Sequence, residues 1–129
     1  IGAAADGSGK VVMTADNDGH FFTAGTVNGV SVRFLVDTGA TMISLGASDA
    51  RRIGLDFNRG QKSMTQTANG QGVVSKVKLD TVRVGDVTMH NVDALIHQTE
   101  MPIALLGMSF LNRMEMQRDG STMTLKKRF

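Results

Sequence analysis

Three features of the sequence predict an all-β domain. Apolar and β-branched runs of strand length recur along the chain, turn dipeptides separate them, and glycine is abundant, at 15 of 129 residues, while proline occurs once. Only two short stretches carry a helical pattern. The length suits one domain with its own core and leaves no room for a second lobe.

The elements follow in chain order. Residues 2–9 are rich in Ala, Gly and Ser and read as a linker, so residues 1–19 are assigned to an N-terminal extension and residues 20–129 to the folded domain. Phe22–Val27 and Val30–Val36 flank Asn28-Gly29, the pair that best tolerates positive φ at both central positions of a type I′ turn, so a tight hairpin is expected. Within its second strand Phe34-Leu35-Val36 is continuously apolar, which implies burial on both faces as the chain runs into Asp37-Thr38-Gly39. Ser48 precedes residues 49–53 and Gly54 follows them, a short helix with a capping hydroxyl and a C-terminal glycine.

Residues 64–67 and 73–77 surround Asn69-Gly70-Gln71-Gly72 and predict a second hairpin with a polar tip. Val77, Leu79, Val82, Val84 and Val87 recur at strand spacings about a Gly85-Asp86 turn, and residues 92–96 add a short strand. Pro102 introduces a buried-type run at 103–107. Residues 108–114 follow with apolar positions at 110, 111 and 114 that suit a short helix, and Asp119-Gly120 turns the last hairpin into residues 122–125.

Composition removes several kinds of chemistry. Without Cys there is no disulfide, thiolate metal site or cysteine nucleophile. The balance of 14 Lys and Arg against 12 Asp and Glu gives a net charge of only +2, and no Tyr or Trp is present to stack on bases, so no nucleic-acid partner is expected. No apolar run approaches the roughly 20 residues that cross a bilayer. His20, His90 and His97 lack ligand spacing and the nine Met read as core and groove filling, so no metal site is expected. Ser31, Ser44, Ser63 and Ser109 lack a nucleophile elbow. Carboxylate chemistry remains, and its focus is Phe34-Leu35-Val36-Asp37-Thr38-Gly39-Ala40-Thr41, with a second apolar-apolar-Gly motif, Leu105-Leu106-Gly107, whose glycine lies 70 residues beyond Asp37.

On these residues the chain, from about 22 to 125, resembles the retropepsin-like (clan AA) aspartic proteases of the bacterial single-lobed type. The resemblance implies an acid-protease barrel: a closed β-barrel with a flap hairpin, a ψ-shaped loop and one or two short helices, acting as a homodimer. It implies an aspartic endopeptidase that hydrolyses peptide bonds of protein substrates without a cofactor. That chemistry needs two carboxylates sharing a proton, one ionised as a base and one protonated as an acid. The chain offers a single Asp-Thr-Gly, so the partner of Asp37 is expected to be Asp37 of a second copy across a two-fold axis.

Carried over by resemblance, Asp37 is the catalytic residue, Thr38 holds the two loops together across the axis, and Gly39 permits close approach to the carboxylate. Ala40 stands where two-lobed relatives commonly have a hydroxyl that donates to the ionised acid, so a less acidic pH optimum is expected. The flap is expected over residues 65–74, with Thr67, Ala68, Asn69 and Gly70 at the substrate, and Leu105, Leu106 and Gly107 form the ψ-loop. Thr41, Met42 and Met108 depart from the retroviral pattern, so the substrate and interface contacts made there by retroviral members are not carried over. The resemblance also implies placement in the periplasm or otherwise outside the cytoplasm, with a membrane tether lying N-terminal to this sequence. The competing reading is a catalytically silent peptide-binding or dimerisation module of the same fold.

Overall fold

The computed structural model describes residues 4–5, 9–67 and 70–128. Among these described residues eleven strands and two helices follow one another as β1 (Ala4–Ala5), β2 (Lys10–Thr14), β3 (Phe22–Val27), β4 (Val30–Val36), β5 (Ile43–Leu45), α1 (Ala47–Ile53), β6 (Gln61–Thr67), β7 (Gly70–Val84), β8 (Val87–His97), β9 (Ala104–Leu106), α2 (Met108–Leu111), β10 (Met114–Asp119) and β11 (Thr122–Lys127). A 3-10 turn at Phe57–Arg59, which the sequence reading did not contain, precedes β6.

Asn28 and Gly29 both hold positive φ, 50° and 83°, so the type I′ turn forms as expected and β3 and β4 pair from Val27↔Val30 to Phe22↔Leu35. β3 also pairs with β7. The order β3-β4-β9-β5-β8-β7 therefore closes on itself as a six-stranded barrel, with β6 attached outside the ring to β7. The second sheet, β1-β2-β11-β10, packs Val11, Met13, Met114, Met123 and Leu125 into the same cluster as Phe34, Leu79 and Phe110.

That second sheet corrects the assignment of residues 1–19 to an extension. Lys10–Thr14 alternates buried and exposed side chains, with Val11 and Met13 fully buried, and pairs with β11 through Val12↔Thr124 and its neighbours. The folded unit therefore begins ahead of residue 20, because a period-two apolar pattern found a partner strand at the far end of the chain.

α1 ends as expected at Gly54, which has φ 88° and donates its N–H to the carbonyls of Ala50 and Arg51. Its start differs. The cap is Gly46, where an added Cβ would lie 2.5 Å from Met101 N, and Ser48 sits inside the first turn. The Ser48 hydroxyl and N–H both donate to the Glu100 carboxylate, and chiefly the hydroxyl holds Glu100 below the ordinary carboxylate range.

The flap hairpin pairs closer to its tip than the expected turn at residues 69–72. Gln71 and Gly72 are strand residues opposite Gln66 and Thr65, and the last pair is Thr67↔Gly70. Ala68 and Asn69 lie outside the described residues. β8 is one strand of 11 residues rather than two pieces, and it keeps its register with β7 although Asn91 takes φ 55°. α2 stops at Leu111, so Met114, fully buried, opens β10 instead of closing the helix.

Two outcomes test this architecture. An Ala Cβ at Gly107 would lie 2.8 Å from Ala40 O and nearer still to Met42 O, both backbone atoms. Gly107→Ala is expected to cost about 2–3 kcal/mol or more, read as a lower urea midpoint at unchanged slope. An unchanged midpoint would show that the loop yields freely. His97, at the end of β8, is half-buried, and desolvation lowers its pKa below the ordinary value. The unfolded chain takes up the proton first, so this histidine's contribution to stability is complete above about pH 6.5 and is lost as the pH falls through that value towards the lower folded one. Urea midpoints measured across that window should fall less steeply in His97→Gln than in the wild-type protein.

Candidate active site

β4 delivers Asp37 to its position. Phe34 is fully buried, Leu35 and Val36 are half-buried, and all three lie parallel to β9 in the pairs Phe34↔Ala104, Leu35↔Leu105 and Val36↔Leu106. The ladder continues one step further, because Asp37 N–H donates to Leu106 O at 3.1 Å. β9 pairs on its other side with β5, antiparallel, at Ser44↔Leu105. The strand that carries Leu105 and Leu106 is thus inserted between the two strands joined by the Asp37 loop.

The loop itself is held by backbone. Gly39 N–H donates to Asp37 Oδ1 at 2.9 Å, and an added Cβ at residue 39 would stand 3.1 Å from that oxygen, so a side chain there would crowd the carboxylate. Ala40 N–H returns to Asp37 O at 3.2 Å, and Ala40 O accepts from Met108 N–H at 2.8 Å. Gly107 lies against the carbonyls of Ala40 and Met42. Asp37 is half-buried, whereas Thr38 and Gly39 are exposed. The carboxylate therefore rests on a fixed backbone frame and faces outward beside two exposed residues.

The residues singled out from the sequence fall into two groups. Asp37, Gly39, Ala40 and Leu106 meet in one hydrogen-bonded constellation against which Gly107 packs, with Leu105 one pair behind them. Thr67 and Gly70 close the flap ladder, and the flap reaches the Asp37 loop through a groove of about 350 Å³ shared by Met42 with Ser63, Thr65, Val74 and Leu95. No described hydrogen bond or ion pair brings a second carboxylate to Asp37. Asp49 pairs with Arg52, Asp93 with Lys78, and Glu100 with Ser48 and Arg51.

Ser109 is a positioning residue that sequence reasoning passed over. Its hydroxyl accepts from Ile43 N–H at 3.0 Å and donates to Asp93 O at 2.7 Å, which laces α2 to β5 and β8. A serine in the first turn of a helix that starts at a buried glycine was the available signal. The sequence reading likewise did not group His20 with Asp16 and Asp18, yet the three come together in the β2–β3 connection. The turn explains the grouping: Asp16 Oδ1 accepts from the N–H groups of both Asp18 and His20 at 2.9 Å.

Comparison with known proteins places this arrangement. Residues 23–113 match the model of the family described as "gag-polyprotein putative aspartyl protease". The crystal structure of a retropepsin-like aspartic protease from Rickettsia conorii superposes with a TM-score of 0.80 at 32% identity, over 91% of this chain and 89% of that one. The EIAV protease complexed with the inhibitor HBY-793 shares the fold at 20% identity and a TM-score of 0.59, over 77% of this chain and 91% of that one. Among curated proteins, an uncharacterized protein of Rickettsia prowazekii (strain Madrid E) is 36% identical over 106 residues, and one from the cobV 5′ region of Sinorhizobium sp is 39% identical over 113. These matches cover 81% and 86% of this chain but 46% and 48% of those proteins, so the chain spans about half the length of the curated relatives it matches. With Asp-Thr-Gly-Ala at the end of β4 and Leu-Leu-Gly threaded beside it in a six-stranded barrel, the chain belongs to the retropepsin-like aspartyl protease family.

Proposed function

We propose that the protein is an aspartic endopeptidase, active as a homodimer, that hydrolyses peptide bonds of protein substrates. One observation carries the reading: in a chain of this family, Asp37 is fixed by Gly39 N–H at an open, backbone-framed loop, and no described interaction supplies it with a second carboxylate. A lone carboxylate cannot be base and acid in one step. Two Asp37 residues brought together cannot both ionise, so one keeps a proton, as in the dyad of aspartic proteases generally. The ionised member takes a proton from water as the water attacks the scissile carbonyl; the protonated member donates to the developing oxyanion. A proton then passes to the leaving amine.

The other residues take supporting parts in this reading. Thr38, exposed beside Asp37, would hydrogen-bond across the two-fold axis and hold the two loops in register. Thr67, Ala68, Asn69 and Gly70 would cover an extended substrate chain, with main-chain hydrogen bonds giving affinity and alternate side-chain pockets giving selectivity. Because each half-site is supplied by one protomer, activity per protomer is tied to protein concentration.

Peptide-library cleavage by the wild type and by Asp37→Asn tests the proposal. The substitution is expected to lower kcat/KM by about 100-fold or more while leaving far-UV circular dichroism unchanged. Specific activity of the wild type should rise with concentration in step with a monomer-to-dimer transition in sedimentation velocity. Equal cleavage by both proteins, or no cleavage at any pH, would overturn the reading and favour the silent binding module. A second outcome concerns residue 40: Ala40→Ser supplies a hydroxyl that can donate to the ionised carboxylate, so the maximum of the pH–rate profile should move to lower pH.

A further inference from the structure

The groove between the flap and the Asp37 loop carries a charge asymmetry. Its apolar lining is Met42, Met64, Val74 and Leu95, and its remaining lining is polar or basic: Gln61, Ser63 and Thr65 with Lys62 and Lys76. Cross-strand register decides which side chains face it. Lys76 stands opposite Leu95 on β8 and Gln61 on β6, and two residues from Val74, so it shares the face of the sheet that carries those three. Lys62 belongs to the opposite face and contributes at the rim, its ammonium 5.1 Å from the centroid of the Phe57 ring.

Among the described residues no Asp or Glu lines this groove, and neither Lys62 nor Lys76 forms an ion pair. The contrast with Lys78 is direct: two residues further along β7 it pairs with Asp93, its register partner on β8. Lys76 instead has Leu95 across from it, and its charge is left for a ligand. A side chain suited to the groove lays methylene groups on Met42 and Leu95, the partly exposed apolar residues of its lining, and ends in a carboxylate. Glutamate has that form, and aspartate a shorter version of it.

We propose that this groove selects an acidic side chain, glutamate or aspartate, in the bound peptide close to the Asp37 loop, with Lys76 as the principal counter-charge and Lys62 as a weaker one at the rim. The inference rests on the proposed peptidase reading, with the groove that Met42 of the Asp37 loop shares with the flap as part of the peptide site, and it assigns that site a substrate class. Lys76 is exposed, so the preference is modest and falls with salt.

The experiment separates binding from cleavage. Fluorescein-labelled decapeptides in which Glu, Gln or Lys is scanned through each position are titrated into Asp37→Asn protein, and anisotropy gives the affinities. At one position Glu should bind about tenfold more tightly than Lys, with Gln between them, and the spread should shrink at about 0.5 M salt. Lys76→Glu should reverse that order, Lys76→Gln should flatten it, and Lys62→Glu should narrow it less than Lys76→Glu does. The inference is overturned if no peptide binds, if no position discriminates by charge, or if the discrimination survives in both Lys76 variants. Cleavage assays with the wild-type protein then locate any failure: a charge preference without turnover removes the peptidase reading and leaves the groove assignment standing. Turnover through Asp37 with no preference reversed by Lys76→Glu removes only the groove assignment.

Discussion

One close approach organises this molecule: the backbone at Gly107 against the carbonyls of Ala40 and Met42. It can exist only because β9 enters the barrel between β4, to which it is parallel, and β5, to which it is antiparallel. The loop joining β4 to β5 must therefore pass around the end of β9. Any side chain at residue 107 would push that loop outward, and the loop is the segment that carries Asp37. The hydrogen bonds Asp37 N–H to Leu106 O and Met108 N–H to Ala40 O fasten it at two points along the same crossing. Asp37 is thus placed by sheet topology and main-chain contacts, which tolerate little displacement, rather than by side chains that could change rotamer.

This explains why the local parts of the structure were legible in the sequence and the joining parts were not. Asn28-Gly29, Gly54 and Asp119-Gly120 act through the dihedral angles of one or two residues, so the turn or cap follows from composition alone. The Asp-Thr-Gly motif was legible for a similar reason, since a buried apolar run leading into an acid and a glycine is a short-range pattern. β2 was not: Val11 and Met13 alternate correctly, but their partner β11 lies more than a hundred residues away and the preceding segment reads as linker. Ser48 is the opposite error. Its hydroxyl suited a cap, and tertiary structure assigned the cap to Gly46, where Met101 packs too closely for a side chain, and turned Ser48 towards Glu100.

The candidate site shows the same division. Asp37 and Gly39 stand in one short motif and Gly107 in another, and the family resemblance gave them roles, although the space Gly107 must leave is set by the distant Ala40 and Met42. Ser109 joins α2 to both β5 and β8, and nothing near it in the sequence identifies Ile43 N–H or Asp93 O as its partners. The absence of an acid across from Lys76 is a property of register: shifting β7 by one residue against β8 would turn Lys76 away from the groove face. A lysine is visible in a sequence, but whether an acid stands across from it is decided by strand pairing.

The flap makes register and function depend on each other. β6 is an edge strand, paired on one side with β7, and an exposed edge invites pairing with any extended chain. Its composition tempers that hazard, for Gln61, Lys62, Ser63, Thr65 and Gln66 are polar or charged; Met64, at 59% exposure, is the apolar exception. On the proposed reading, a strand built in this way would resist pairing with other chains when uncovered and would offer one flexible apolar side chain to a bound peptide. Polarity that protects the edge also removes the hydrophobic contacts that would otherwise distinguish one peptide from another. If the groove is the proposed peptide site, discrimination would then come from the few groups that are neither paired internally nor generic, among them the ammonium of Lys76, which forms no described ion pair, and the adaptable side chains of Met42 and Met64.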